Sequence, residues 1–201
     1  MKPAWLAAGL LIPAALGVIL YAHSLDPRPL AEEMRLNLRA ANAELEALDL
    51  SGLGADAAFA TLLASYHETS ARVAEASLAY LEDANVRDFA ERIAAEAPAR
   101  AADLEAHVPA ATGAGDAAAL DAARAQTMAA IRTGIAHKGA PDEIFVQTML
   151  ALLGGAVTAA ELERESSDDP VLAASAEDVL LRDASAIGSM NRWLRFNPHQ
   201  H

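Results

Sequence analysis

The chain has 201 residues, 51 of them Ala and none Cys, and carries 28 acidic against 15 basic side chains for a net charge of −13. The lack of Cys excludes a disulfide framework and a thiolate metal site, and abundant Ala and Leu with few aromatics favours helix over strand and over disorder. No cluster of Lys or Arg interrupts the acidic balance, which excludes nucleic-acid binding by phosphate neutralisation and attachment to anionic lipid through a basic patch.

No charge occurs between Lys2 and Asp26, and residues 3–22 are almost wholly apolar. That length of helix spans ~30 Å, one hydrocarbon core. Residues 1–24 are therefore expected to be a membrane anchor or a signal peptide. Small residues around Ala22-His23-Ser24 suit a signal peptidase. Trp5 and Tyr21, near the two ends of the apolar run, suit interfacial anchoring instead. In either case Lys2 holds the N-terminus in the cytoplasm and the rest is exported, to the periplasmic side of the inner membrane.

After Asp26-Pro27-Arg28-Pro29, apolar spacing through Leu30, Met34, Leu38, Leu45 and Leu48 predicts one helix over 30–48. Ser51-Gly52-Leu53-Gly54 reads as a turn, and a helix from about Asp56 to Leu81 presents Phe59, Leu62, Leu63, Tyr66 and Val73 on one face. A break at 82–85 leads to a helix over 86–107 that carries Pro98, where a kink is expected. Residues 109–115 form a linker. Helices follow over 116–138, then from Asp142 into the acidic run Glu161–Asp169, read as a solvated helix end, and over 171–194. Gly154-Gly155 falls inside the middle one, where a close helix neighbour or a kink must offset the cost of two glycines.

Shifting the chain by 86 residues lays 56–108 over 142–194 without a gap. Seven positions are identical, among them Asp56/Asp142, Phe59/Phe145, Asp83/Asp169 and Glu91/Glu177, and the helix breaks and apolar register coincide. A duplicated helical unit follows, with a first repeat over 25–108 (core 56–108) and a second over 116–194 (core 142–194). Residues 195–201 form a tail. Neither half buries its apolar faces alone, so the two are expected to share one core.

The second repeat runs Asp142-x-x-Phe145-x-x-x-Met149, then Ala156-Val157-x-x-Ala160, and ends Ile187-x-x-Met190-x-x-Trp193-Leu194. This resembles the bacterial family called domain of unknown function 305, exported ferritin-like antiparallel helical bundles, often duplicated. The resemblance implies an all-α bundle and, since some members bind copper through a His-His pair with Met and Gln or Glu, a copper site. In this chain the His pair falls at Tyr66-His67 and Leu152-Leu153, the Gln position at Ala97 and Asp183, and the second-helix Met at Leu104 and Met190. Most of the implied ligand positions hold non-ligands.

His67 edges an apolar face, where an imidazole is usually a packed boundary residue. Asp183 lies within the apolar stripe of the last helix and should find an Arg or a hydroxyl partner, a metal shared with His67 and Met190 being the alternative. Met149 and Met190 follow the core register. His199 and His201 in the tail offer two imidazoles to Cu(II). No Glu is followed at the third position by His, as a di-iron bundle requires, and neither a nucleophile elbow nor a phosphate loop is present. The expectation is a non-catalytic, membrane-tethered periplasmic bundle that docks on an envelope protein; the alternative is copper binding or buffering through His67, Asp183, Met149 and Met190 or through the tail.

Overall fold

The computed structural model describes residues 27–108, 117–167 and 169–197, with side chains from residue 30. The expected leader, the linker 109–115, and His199 and His201 lie outside the described residues. Helices are the only regular elements among those residues: α1 (Pro27–Ala41), α2 (Ala43–Ala47), α3 (Ala55–Ser77), α4 (Ala84–His107), α5 (Ala118–Ile135), α6 (Pro141–Ser166) and α7 (Pro170–Phe196). The all-helical expectation holds.

Boundaries differ from the sequence reading where side chains compete with the backbone. One helix was expected over 30–48, but the segment divides at Asn42, whose Nδ2 donates to the Leu38 carbonyl at 2.7 Å. The helix expected to reach Leu81 ends at Ser77. Gly52 then takes the left-handed conformation (φ 81°) in the turn before α3. α4 runs unbroken past Pro98. Asp83 and Asp169 cap α4 and α7 alike: each accepts from two backbone N–H groups of the first turn, Asn85 and Val86 in one case, Val171 and Leu172 in the other. Pro141 and Pro170 occupy first-turn positions, where the missing N–H costs nothing.

α3 and α6 pack together at the centre. α4 lies against α3 and α7 against α6, while α1 and α5 cover the remaining sides of α3 and α6. The buried interior is one continuous cluster in which Phe59, Tyr66, Phe145 and Met149 are sealed from solvent. By length and composition α6 is apolar enough to cross a membrane, but most of its apolar stretch is buried in this bundle. α1–α2 and α5 cap one another. Arg35 donates to the Ile135 and His137 carbonyls at the end of α5, and Arg124 donates to the Leu45 and Glu46 carbonyls at the end of α2. A guanidinium at a helix C-terminus satisfies free carbonyls and faces the negative end of the dipole.

The glycine pair of α6 divides in two. A Cβ on Gly155 would clash with Thr127 Oγ1 and lie 2.9 Å from the Tyr66 hydroxyl, so α5 approaches α6 there; nothing lies within 4 Å of one on Gly154. Gly134 of α5 faces the backbone of Gln147 and Thr148 at 2.9 Å. Thermal midpoints should therefore split. Gly154→Ala is expected to gain about 0.5–1 kcal/mol through helix propensity. Gly155→Ala and Gly134→Ala should each lose about 1–3 kcal/mol through overpacking, with Gly134 the costlier because backbone cannot swing aside.

Candidate functional site

Four helices, α3, α4, α6 and α7, form a bundle that is closed on three sides and open on the fourth. α4 and α7 hardly touch each other. They wall a groove whose floor is α3 and α6, and the groove widens into a cleft at each end.

The larger cleft, about 500 Å³, lies between the C-terminal half of α4 and the N-terminal half of α7. Leu63 and His67 of α3 floor it, with Arg100, Asp103 and Leu104 on one wall and Val171, Asp178 and Val179 on the other. The smaller, about 260 Å³, lies between the opposite halves of the same helices. Val146 of α6, Asn85, Asp88, Phe89 and Arg92 of α4, and Ser189, Met190 and Trp193 of α7 line it. The linings correspond at the 86-residue offset: Asn85 with Val171, Phe89 with Ser175, Arg92 with Asp178, Met190 with Leu104, and Trp193 with His107. The charge at one of these positions is reversed, Arg92 in the smaller cleft facing the role of Asp178 in the larger.

His67 is 8% exposed, and its imidazole has no hydrogen bond to any described residue. Burial pushes its imidazole down to about 4, with Arg100 acting in the same direction and Asp178 against it. At neutral pH it is uncharged. Asp183 is also buried, and its Oδ2 has no hydrogen-bond partner among the described residues. Burial pushes its carboxyl up to about 6 against Arg100, with Asp178 adding to the rise and Arg182 opposing it. The Arg or hydroxyl partner expected for Asp183 is thus missing from Oδ2, for a local reason. Arg100 is held by Glu96 and Arg182 by Asp178, each at 2.6 Å and one helical turn away.

The sequence-derived residues are only partly brought together. His67 and Asp183 share Arg100 and Asp178 as electrostatic neighbours. Met190 lines the other cleft, and Met149 is sealed in the core. Among the described residues no three His, Asp or Glu side chains converge as a metal-binding group.

Two buried acids carry signals that the sequence reading missed. Asp142, 1% exposed, accepts from the Glu82 and Asp83 backbone N–H groups at 3.1–3.3 Å, which ties the turn between α3 and α4 to the start of α6. Glu163, assigned to a solvated helix end, is instead 1% exposed. Neither of its oxygens is hydrogen-bonded to a described residue, and burial pushes it up to about 7, with the Ser167 hydroxyl opposing and Asp56 and Asp169 reinforcing. The correction has a simple source: Glu163 continues the buried line Ala156, Ala159, Ala160 by one more turn. At the same end of the bundle His107 Nε2 lies 3.1 Å from Asp169 Oδ2 and joins the end of α4 to the start of α7.

No family model matches the chain, and neither a curated protein nor a solved structure shows significant similarity to it.

Proposed function

We propose that the chain is a non-catalytic helical bundle, held at the periplasmic side of the inner membrane by residues 1–24, that docks on an envelope protein through the groove between α4 and α7. The observation that carries this reading is the open side of the bundle. α4 and α7 stay apart over a buried floor, and α7 presents Val171, Leu181 and Phe196 to solvent at 51, 68 and 79% exposure. Over residues 25–201 the chain carries 28 acids and 14 bases, so a basic amphipathic segment is the complementary occupant.

Duplication and the likeness to ferritin-like bundles of the domain of unknown function 305 family belong to the same proposal. Their support is the register: α3 and α6 start at Ala55 and Pro141, α4 and α7 at Ala84 and Pro170, each pair 86 residues apart. The test is co-purification of the full-length protein from crosslinked membranes. A partner should be recovered with the wild type and lost with Leu181→Asp combined with Phe196→Asp, both exposed sites. Recovery of the wild type alone, or equal recovery of partner with the variant, contradicts docking at this face.

Copper binding is the second reading, favoured by one observation: a neutral imidazole without a hydrogen bond, beside the under-partnered Asp183, is free to donate its lone pair. Titration of the full-length protein with Cu(I) and Cu(II) decides it. Sub-micromolar binding abolished by His67→Ala supports the site; binding abolished only by removal of His199–His201 places the metal on the tail.

A further inference from the structure

We infer that the smaller cleft is a binding site for a free α-amino acid with an apolar side chain. Its polar groups are unspent. The Trp193 Nε1–H is buried without a hydrogen-bond partner among the described residues, although an indole N–H taken out of water normally finds an acceptor. Asp88 and Arg92 stand one helical turn apart on α4, the spacing that favours an ion pair, yet no ion pair joins them or engages either with another described residue. Arg92 instead lies over the Phe89 ring, 6.0 Å from its centroid. Separated and unpaired, the two charges match the two ends of a zwitterion.

The remaining lining supplies the rest of the recognition. A carboxylate at this place accepts from the exposed Arg92 guanidinium; the Trp193 Nε1–H, sealed from solvent, joins it only when the indole turns toward the ligand. An ammonium one carbon away donates to Asp88. The side chain then meets Val86, Phe89, Val146 and Met190, with Phe89 held edge-on against the buried Phe145 ring, centroids 6.4 Å apart. A volume of about 260 Å³ suits a ligand of that size and no larger cofactor. The larger cleft lacks this donor set: at the corresponding positions it has Asp178 in place of Arg92 and His107, already paired with Asp169, in place of Trp193. One duplicated groove thus carries a zwitterion site at one end only. This inference does not depend on a protein partner.

Trp193 is its own reporter. The chain has two Trp, so the full-length protein with Trp5→Phe emits from Trp193 alone. Titration with L-leucine is expected to change that emission saturably. 4-Methylpentanoate, which lacks the ammonium, and 3-methylbutylamine, which lacks the carboxylate, should each bind about tenfold or more weakly, since each loses a charge-assisted contact. Arg92→Ala and Asp88→Asn, at exposed positions, should weaken leucine by a similar factor with unchanged far-ultraviolet circular dichroism, whereas Asp178→Asn in the larger cleft should not. The absence of a saturable change overturns the inference. So do truncated compounds that bind as well as leucine, or an Arg92→Ala protein that binds like its parent.

Discussion

Asp142→Ala should cost about 2–3 kcal/mol, because it leaves two half-buried backbone N–H groups without an acceptor. Those groups, on Glu82 and Asp83, lie just before α4, and Asp142 is the first-turn residue of α6 that receives them. One carboxylate thus links the turn of the first hairpin to the start of the second. Asp142→Asn separates the two roles of that side chain. Burial raises the Asp142 carboxyl above its usual range, against the two backbone hydrogen bonds, so its charge is not what stabilises the fold. Asn keeps an oxygen for the N–H groups and sheds the charge. Its urea midpoint is expected near wild type, with Ala well below both; equal losses for Ala and Asn would show that the carboxylate charge is required.

Glu163→Gln is expected to stabilise the protein at alkaline pH. The folded-state value of about 7 lies above the ordinary glutamate value of 4.5, so the folded protein holds the proton more tightly than the unfolded chain. The favourable contribution is complete below about pH 4.5 and disappears as pH rises through about 7. Above that, a carboxylate is buried beside Asp56 and Asp169, with only the Ser167 hydroxyl opposing the cost. A Gln amide has no charge to desolvate. At pH 8 the gain should be on the order of 2 kcal/mol, or about 4–8 °C in thermal midpoint for a protein of this size. At pH 4 the two proteins should melt alike. His67 has the opposite sign: with a folded value of about 4, it remains neutral in the fold while the unfolded chain protonates below about 6.5, so its contribution is lost as pH falls from 6.5 through 4. A Glu163→Gln protein with the same pH profile as wild type would show that Glu163 is not buried as a lone carboxyl.

Helix positions were legible in the sequence because capping and apolar period agree locally. Asp83 and Asp169 stand where caps are needed, and the 86-residue register reappears in helix starts and in cleft linings. The groove was not legible. An apolar stripe says that a helix is covered, but not which neighbours leave a gap, and α4 and α7 carry ordinary amphipathic patterns. Asp183 is anomalous by its place in such a stripe. Its lack of a partner at Oδ2 was not foreseeable, since Arg100 and Arg182 are drawn off by acids one turn away on their own helices. By composition Glu163 is one acid among several, but its period of four from Ala159 places it on the buried line. Of the glycine pair, only Gly155 has the close neighbour that the sequence required of both. The two polar anomalies of the smaller cleft have no sequence signature: the spacing of Asp88 and Arg92 reads as an ion pair that the structure does not form, and no pattern shows that the Trp193 indole N–H lacks an acceptor.

Site-specific photocrosslinking of the full-length protein in intact cells tests the docking groove most directly. A photoreactive residue placed at Arg92, Ala174 or Ser189, all on the groove side and exposed, should yield one adduct of common mass. At Arg39 of α1 and Gln126 of α5, exposed on the covering helices, the same residue should yield none. Adducts from the covering helices as strong as those from the groove, or none from any groove position, would contradict the assignment of this face as the docking surface.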